Sequence, residues 1–294
     1  MGWLGARILL ATLWLLHWLP LGWLAPLGRG VGLILYAVVG ARRRIAMRNL
    51  ELCFPQMTPV QRRQLTREHF RWLGRSILER GVLWYASPQR LKRLIHVEGD
   101  VQLAERNERA VMWLVPHFMA LDVAGVATQL FQKKWVASIY QQQSDATMDA
   151  AIRRGRLRFD QGEVFPRSDS ARPLLRAIRA GTAFFNLPDM DFGARDAAFV
   201  PFFGVSAATL LAPSRMARAL NMVVQPVVAH MLPGAQGYRV RFMAPWSDFP
   251  SADALADTAR MNRWIEEQIR ADPAQYLWVH KRFKTRPPGE PALY

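Results

Sequence analysis

One cysteine, Cys53, stands in 294 residues, which excludes an internal disulfide framework and any multi-cysteine zinc site. Acidic residues are scarce: 23 Asp and Glu face 39 Lys and Arg, a net charge of +16. Such a chain needs a negative counterpart, and nucleic acid, an anionic membrane surface, an acidic protein and a phosphorylated substrate all qualify at this level. The six histidines form no HxxxH or HxH pair, which argues against a metal site. Internal repeats, low-complexity tracts and long linkers are lacking. With 51% hydrophobic residues the chain is neither a disordered tail nor a small stapled domain.

Charge is missing locally as well. From Ile8 to Leu27 there is no Asp, Glu, Lys or Arg, and as a helix this stretch rises about 30 Å, the thickness of bilayer hydrocarbon. His17, Pro20, Gly22 and Pro26 interrupt it, so it reads as a kinked or shallow helix, and Trp3, Trp14, Trp18 and Trp23 suit a headgroup boundary. The following apolar run, Val31 to Val39, is too short to span alone and leads into Arg42, Arg43 and Arg44, which belong on the cytoplasmic side. A cleaved signal peptide fits less well, because Arg7 is the only early charge and no small-x-small site ends the apolar core. Residues 1–40 are therefore expected to anchor the chain in a membrane, and 41–294 to form one globular domain.

Thr58-Pro59 signals a helix start, and Leu65, Phe70, Leu73, Ile77 and Leu78 recur at helical intervals up to Gly81. Arg62, Arg63, Arg67, Arg71 and Arg75 make this helix strongly basic; a solvated face and a face against lipid phosphates are both open. From Ala110 short apolar runs alternate with helix-like segments, the pattern of an α/β domain with a central, largely parallel or mixed sheet flanked by helices. The expected strands are Ala110–Val115, Val136–Tyr140, Thr182–Leu187, Met222–Ala229 and Tyr238–Met243; the expected helices are Leu121–Phe131, Pro173–Ala180, Ala208–Leu220 and Asp253–Arg270.

Pro116-His117-x4-Asp122 falls where the first of these strands ends, the place where α/β proteins put their sites. On a continuous helix His117 and Asp122 would point about 140° apart, but across a strand-to-helix turn the carboxylate can fold back onto the imidazole. Asp122 is then expected to accept the Nδ1 proton of His117 while Nε2 takes a proton from an attacking hydroxyl. Gly155-Arg156-Leu157-Arg158 and Glu163-Val164-Phe165-Pro166-Arg167 present cations in loop-like contexts. Asp189 and Asp191 end another expected strand, where they could bind a cation, orient those arginines or cap a turn. Ala198 to Gly204 is apolar and irregular, fit to line a greasy groove or a core loop. Aromatics and cations mix between Tyr276 and Arg286, which suits stacking on nucleic acid or a lipid–water boundary.

The ordered set of Pro116-His117-x4-Asp122, Gly155-Arg156-Leu157-Arg158, Leu187-Pro188-Asp189-Met190-Asp191-Phe192-Gly193, Val200-Pro201-Phe202-Phe203-Gly204 and the tail Trp278 to Pro287 resembles the late acyltransferases of lipid A biosynthesis, lauroyl and myristoyl transferases among them. These belong to the wider lysophospholipid acyltransferase superfamily with its His-x4-Asp/Glu signature, and the resemblance covers nearly the whole chain. It implies an acyltransferase-type α/β fold with a central mixed sheet and an N-terminal membrane-anchoring helix. It implies a bacterial inner-membrane enzyme, its catalytic domain on the cytoplasmic face, that moves an acyl group from acyl carrier protein to a hydroxyl of a hydroxyacyl chain on a phosphorylated lipid A precursor. Inner-membrane lipids are implied as neighbours, with no metal, no cofactor and no nucleic acid. By the family pattern His117 is the general base and Asp122 its partner. One of Arg156, Arg158 and Arg167 is expected to face a substrate phosphate, and Asp189 or Asp191 matches the family's acidic residue after a sheet strand. Another membrane-lipid O-acyltransferase with the same His-x4-Asp chemistry, acting on a lysophospholipid or aminolipid, is the alternative.

Overall fold

The computed structural model describes residues 3–294. Helices α1 (Trp3–Leu16), α2 (Leu21–Val38) and α3 (Gly40–Cys53) open the chain, followed by the long α4 (Pro59–Tyr85) and short α5 (Pro88–Leu94). Strands and helices then alternate: β1 (Ile95–Gly99), α6 (Leu103–Arg106), β2 (Val111–Leu114), α7 (Leu121–Leu130), β3 (Val136–Tyr140), α8 (Ala146–Arg156), β4 (Gly162–Pro166), α9 (Arg172–Arg179) and β5 (Ala183–Asn186). The hairpin of β6 (Ala197–Phe202) and β7 (Val205–Leu210) precedes α10 (Ala212–Ala219), β8 (Val223–Met231), β9 (Tyr238–Phe242), α11 (Ala254–Ala271) and a 3-10 turn, Pro273–Gln275.

Seven strands form one mixed sheet in the order β1-β9-β8-β2-β5-β3-β4, parallel at every pair except β8 with β9. Strands β2 and β5 lie in its middle and are buried along their whole length, as expected of parallel strands covered by helices on both faces. Alternation along β2 divides the core: Val111 and Trp113 join one apolar cluster, Met112 and Leu114 the other.

The five expected strands all form, but β1, β4 and the β6–β7 hairpin add to them. Strand β4 occupies Gly162–Pro166, where the nearby cations suggested a loop, and Gly155 and Arg156 end helix α8. The run from Ala198 to Gly204 is not irregular: it forms β6 and its turn, closed by Phe203 and Gly204 with φ of 51° and 76°, the pair of positive angles a two-residue hairpin demands. Pro201 obscured this strand, since proline is tolerated in a two-stranded ribbon where its missing N–H is not needed. Residues 208–210, expected to be helical, belong to β7.

Helix α4 starts as expected, with a capping box in which the Thr58 hydroxyl accepts from the Gln61 N–H and the Gln61 side chain accepts from the Thr58 N–H. It runs on past Gly81 to Tyr85, and the missing side chain of Gly81 lets the Leu13 carbonyl approach; a Cβ there would sit 2.3 Å from the Leu13 oxygen. Arg75 is not on a basic outer face. It is 1% exposed and ion-paired to Glu79 at 2.6 Å, and Glu79 in turn accepts from the Tyr238 hydroxyl at 2.8 Å.

Candidate active site

Strands β2 and β5 are parallel neighbours with Leu114 beside Asn186, and the Val115 N–H extends the ladder to the Asn186 carbonyl at 2.9 Å. His117 lies three residues beyond Leu114, and Asp189 three beyond Asn186. Equal offsets from paired positions on parallel strands emerge side by side, and each is preceded by a proline, Pro116 and Pro188, that keeps the residue before it, Val115 or Leu187, extended at the C-terminal end of its strand. The result is a two-point contact: His117 Nδ1 is 2.6 Å from Asp189 Oδ1, and the His117 backbone N–H donates to Asp189 Oδ2 at 2.9 Å.

Asp189 is buried. Burial alone would raise its carboxyl, but the facing His117 ring, the His117 N–H and Arg282 outweigh that and hold it below the usual carboxylate range. An ionised Asp189 accepts from Nδ1–H, which leaves Nε2 as the ring nitrogen able to take a proton. The segment after α11 straps this loop down, with the Leu277 N–H on the His117 carbonyl at 2.9 Å and the Met119 N–H on the Gln275 carbonyl at 2.8 Å.

The expected bond from His117 Nδ1 to Asp122 is therefore replaced by one to Asp189. Asp122 is the second residue of α7, and the helix turns it toward α4 and the end of α8, where it pairs with Arg80 at 2.8 Å and Arg156 at 3.4 Å. Burial raises its pKa, but the two guanidinium groups prevail and keep it ionised below the ordinary range.

A cavity of about 480 Å³ opens on His117. Its apolar wall includes Leu73 and Ile77 of α4, Phe118, Phe185, Leu187 and Met190, and its polar groups include Asp122, Arg80, Arg156 and Arg167. Arg167 lies 3.6 Å above the Phe192 ring. Arg158 is turned away: it donates to the carbonyls of Leu83 and Ala86 at the C-terminal end of α4, so it caps a helix and does not line this cavity. Asp191 is also outside. It accepts from the Thr285 N–H at 2.6 Å, the Thr285 hydroxyl at 2.7 Å and the Gly193 N–H at 3.0 Å, pinning the C-terminal segment. Its own N–H donates to His280 Nε2, and burial first, then the His117 and Arg282 charges, depress His280 to about 4. The run from Ala198 to Gly204, open to a groove or a core reading, lies away from this cavity: Phe202 is buried against Tyr276 and Phe283, and the Phe203 N–H is spent on Glu266.

Arg80 escaped the sequence reading. Its signal was its place on the stripe Leu73, Ser76, Ile77, Arg80, four residues at helical spacing that all reach the cavity. Among the described residues no group of three or more His, Cys, Asp or Glu side chains could hold a metal ion.

The model of the family described as bacterial lipid A biosynthesis acyltransferase matches residues 2–285. The chain is 33% identical over 288 residues to a lipid A biosynthesis palmitoleoyltransferase of Escherichia coli (strain K12), covering 97% of this chain and 92% of that protein. It is 32% identical over 295 residues to the lipid A biosynthesis lauroyltransferase of the same organism, covering 99% and 94%, and 29% identical over 269 residues to its lipid A biosynthesis myristoyltransferase, covering 91% and 81%.

Proposed function

Because this chain belongs to the bacterial lipid A biosynthesis acyltransferase family, we propose that it moves a fatty acyl group from acyl carrier protein to a hydroxyl of a hydroxyacyl chain on a phosphorylated lipid A precursor, with His117 as general base. The observation that carries the proposal is the His117 imidazole in the wall of an apolar cavity, its Nδ1 held by the buried Asp189. The acceptor hydroxyl gives its proton to Nε2 as its oxygen attacks the thioester carbonyl. Collapse of the tetrahedral intermediate breaks the carbon–sulfur bond, and the imidazolium returns the proton to the leaving thiolate, so ester and free carrier thiol depart with His117 neutral again. Asp189 keeps the tautomer correct and stabilises the transient imidazolium. Much of the rate comes from holding thioester and hydroxyl at one base.

Asp122 enters through the arginines. It braces Arg80 and Arg156, and with Arg167 nearby the three guanidinium groups outnumber the one carboxylate, leaving a positive rim that suits a substrate phosphate. The +16 charge of the chain favours encounter with an acidic carrier protein and anionic lipid. The site of action is the cytoplasmic face of the bacterial inner membrane.

Mass spectrometry of a tetra-acylated lipid A precursor, incubated with detergent-solubilised protein and a panel of acyl carrier protein thioesters, tests this. Gain of one acyl mass with wild type and none with His117→Ala is the expected result. Turnover by His117→Ala removes the general-base assignment, and no gain with any donor from folded protein moves the acceptor to another membrane lipid.

A further inference from the structure

By length and composition Leu21–Val38 is the one helix among the described residues able to cross a membrane, but its surroundings say how it meets one. Helix α2 lies antiparallel along α4 in close contact. Gly28 sits against Arg75, Gly32 against Phe70 and Arg71, and Gly74 against Gly28 and Gly32; a Cβ on Gly32 would come 2.0 Å from the Phe70 oxygen. Midway along α2, Arg29 makes a two-pronged ion pair to Glu68 at 2.7 and 3.2 Å, and Glu68 also holds Arg71 at 2.9 Å. Carrying α2 across the hydrocarbon would drag this charged stretch of α4 with it, where unsolvated ions are costly.

The opposite side of α2 and the outer side of α1 are uncovered and greasy. Ten of the fourteen large apolar side chains exposed on the described chain fall between Leu4 and Val38. Ile8, Leu15, Trp18, Trp23, Leu27 and Ile34 are each about half to two-thirds exposed, and Trp23, Leu27 and Ile34 follow one face of α2. Cations rim it: Arg43 and Arg67 lie over the Tyr36 ring near the end of α2, and Arg42 and Arg44 are exposed just beyond.

We infer that α1 and α2 form an in-plane anchor, embedded from one side in the boundary between headgroups and acyl chains of an anionic bilayer, with α2 parallel to the membrane surface. An apolar face with tryptophans and a basic rim is the composition such helices need. The same α4 that backs the anchor presents Leu73, Ile77 and Arg80 to the cavity. A single helix, about 10 Å across, therefore separates the membrane-facing layer from the cavity.

Nitroxide labels placed singly at Trp23→Cys, Leu27→Cys and Ile34→Cys, in full-length Cys53→Ser protein reconstituted into phosphatidylethanolamine–phosphatidylglycerol vesicles, test the geometry by depth-resolved electron paramagnetic resonance. Trp23 and Ile34 are about 16 Å apart along the helix axis. The expected result is one common depth for all three labels, just below the headgroups. Depths that differ by about 16 Å overturn the inference in favour of a crossing helix. Labels left in water overturn it too, as does spin–spin broadening relieved by unlabelled chain, which would put a second copy on this face. In cells with a permeabilised outer membrane, an Ile8→Cys chain is expected to resist a membrane-impermeant maleimide until lysis; labelling from the periplasm gives the crossing topology independently of reconstitution.

Discussion

Replacing Asp189 by Asn is the sharpest probe of the site. The carboxylate accepts two hydrogen bonds from one residue, the His117 backbone N–H at 2.9 Å and the ring Nδ1–H at 2.6 Å. An amide of the same shape has a single acceptor oxygen, so one donor faces an NH2 group, and if that group faces the ring it favours the tautomer with the proton on Nε2, which cannot act as a base. The charge that stabilises the imidazolium disappears as well. Loss of the equivalent carboxylate in a Ser-His-Asp enzyme costs about 10⁴-fold in turnover, and about 10³- to 10⁴-fold is expected here, or about 4–5.5 kcal/mol of barrier. Single-turnover acyl transfer followed by mass spectrometry reads this directly, with KM for both substrates nearly unchanged. If Asp189→Asn keeps turnover within tenfold of wild type while Asp122→Asn abolishes it with unchanged substrate KM, Asp122 orients the imidazole and the reasoning fails.

Other consequences divide structural from functional arginines and report on buried charge. Arg158→Ala should lose about 1 kcal/mol of stability through its helix-end carbonyls, yet retain turnover per folded molecule, whereas Arg156→Ala, at the cavity, should raise substrate KM; denaturant melts beside kinetics separate the two. Arg75→Met should cost about 3–5 kcal/mol by stranding the buried Glu79, and urea unfolding should show most of it recovered when Glu79 is also replaced by an apolar residue. His69 is fully buried and depressed to about 4, chiefly by burial, and the buried His230 and half-buried His280 are depressed to about 4 in the same way. Between about 4 and the unfolded value near 6.5 the unfolded chain binds the extra proton, so each histidine lowers stability as pH falls through that window, His69 by about 3 kcal/mol at its full extent. A melting temperature that stays flat from pH 6.5 to 4.5 would contradict this.

Much of the architecture was legible in the sequence because its causes are local. Thr58-Pro59 with Gln61 carries the local signature of a capping box, and the short apolar runs of β2 and β5, bounded by turn residues, suit strands covered on both faces. The place of His117 at a strand end was readable from Pro116 and the preceding apolar run. Strand β4 and the β6–β7 hairpin were hidden by cations and by Pro201, whose local preferences point away from a strand and are overridden by pairing.

Residue types and spacing thus carried five of the nine strands, the family resemblance and the candidate base. Which carboxylate bonds the His117 ring was decided elsewhere. Asp122 is five residues away and Asp189 seventy-two, and nearness along the chain pointed to Asp122 although the Nδ1 bond goes to Asp189. The pairing follows from the register of β2 with β5, a long-range hydrogen-bonded alignment that no local pattern encodes. Arg80 joins the cavity, and Arg158 leaves it, for the same reason: a side chain's environment depends on which helix face meets which neighbour, and that is fixed when the elements pack.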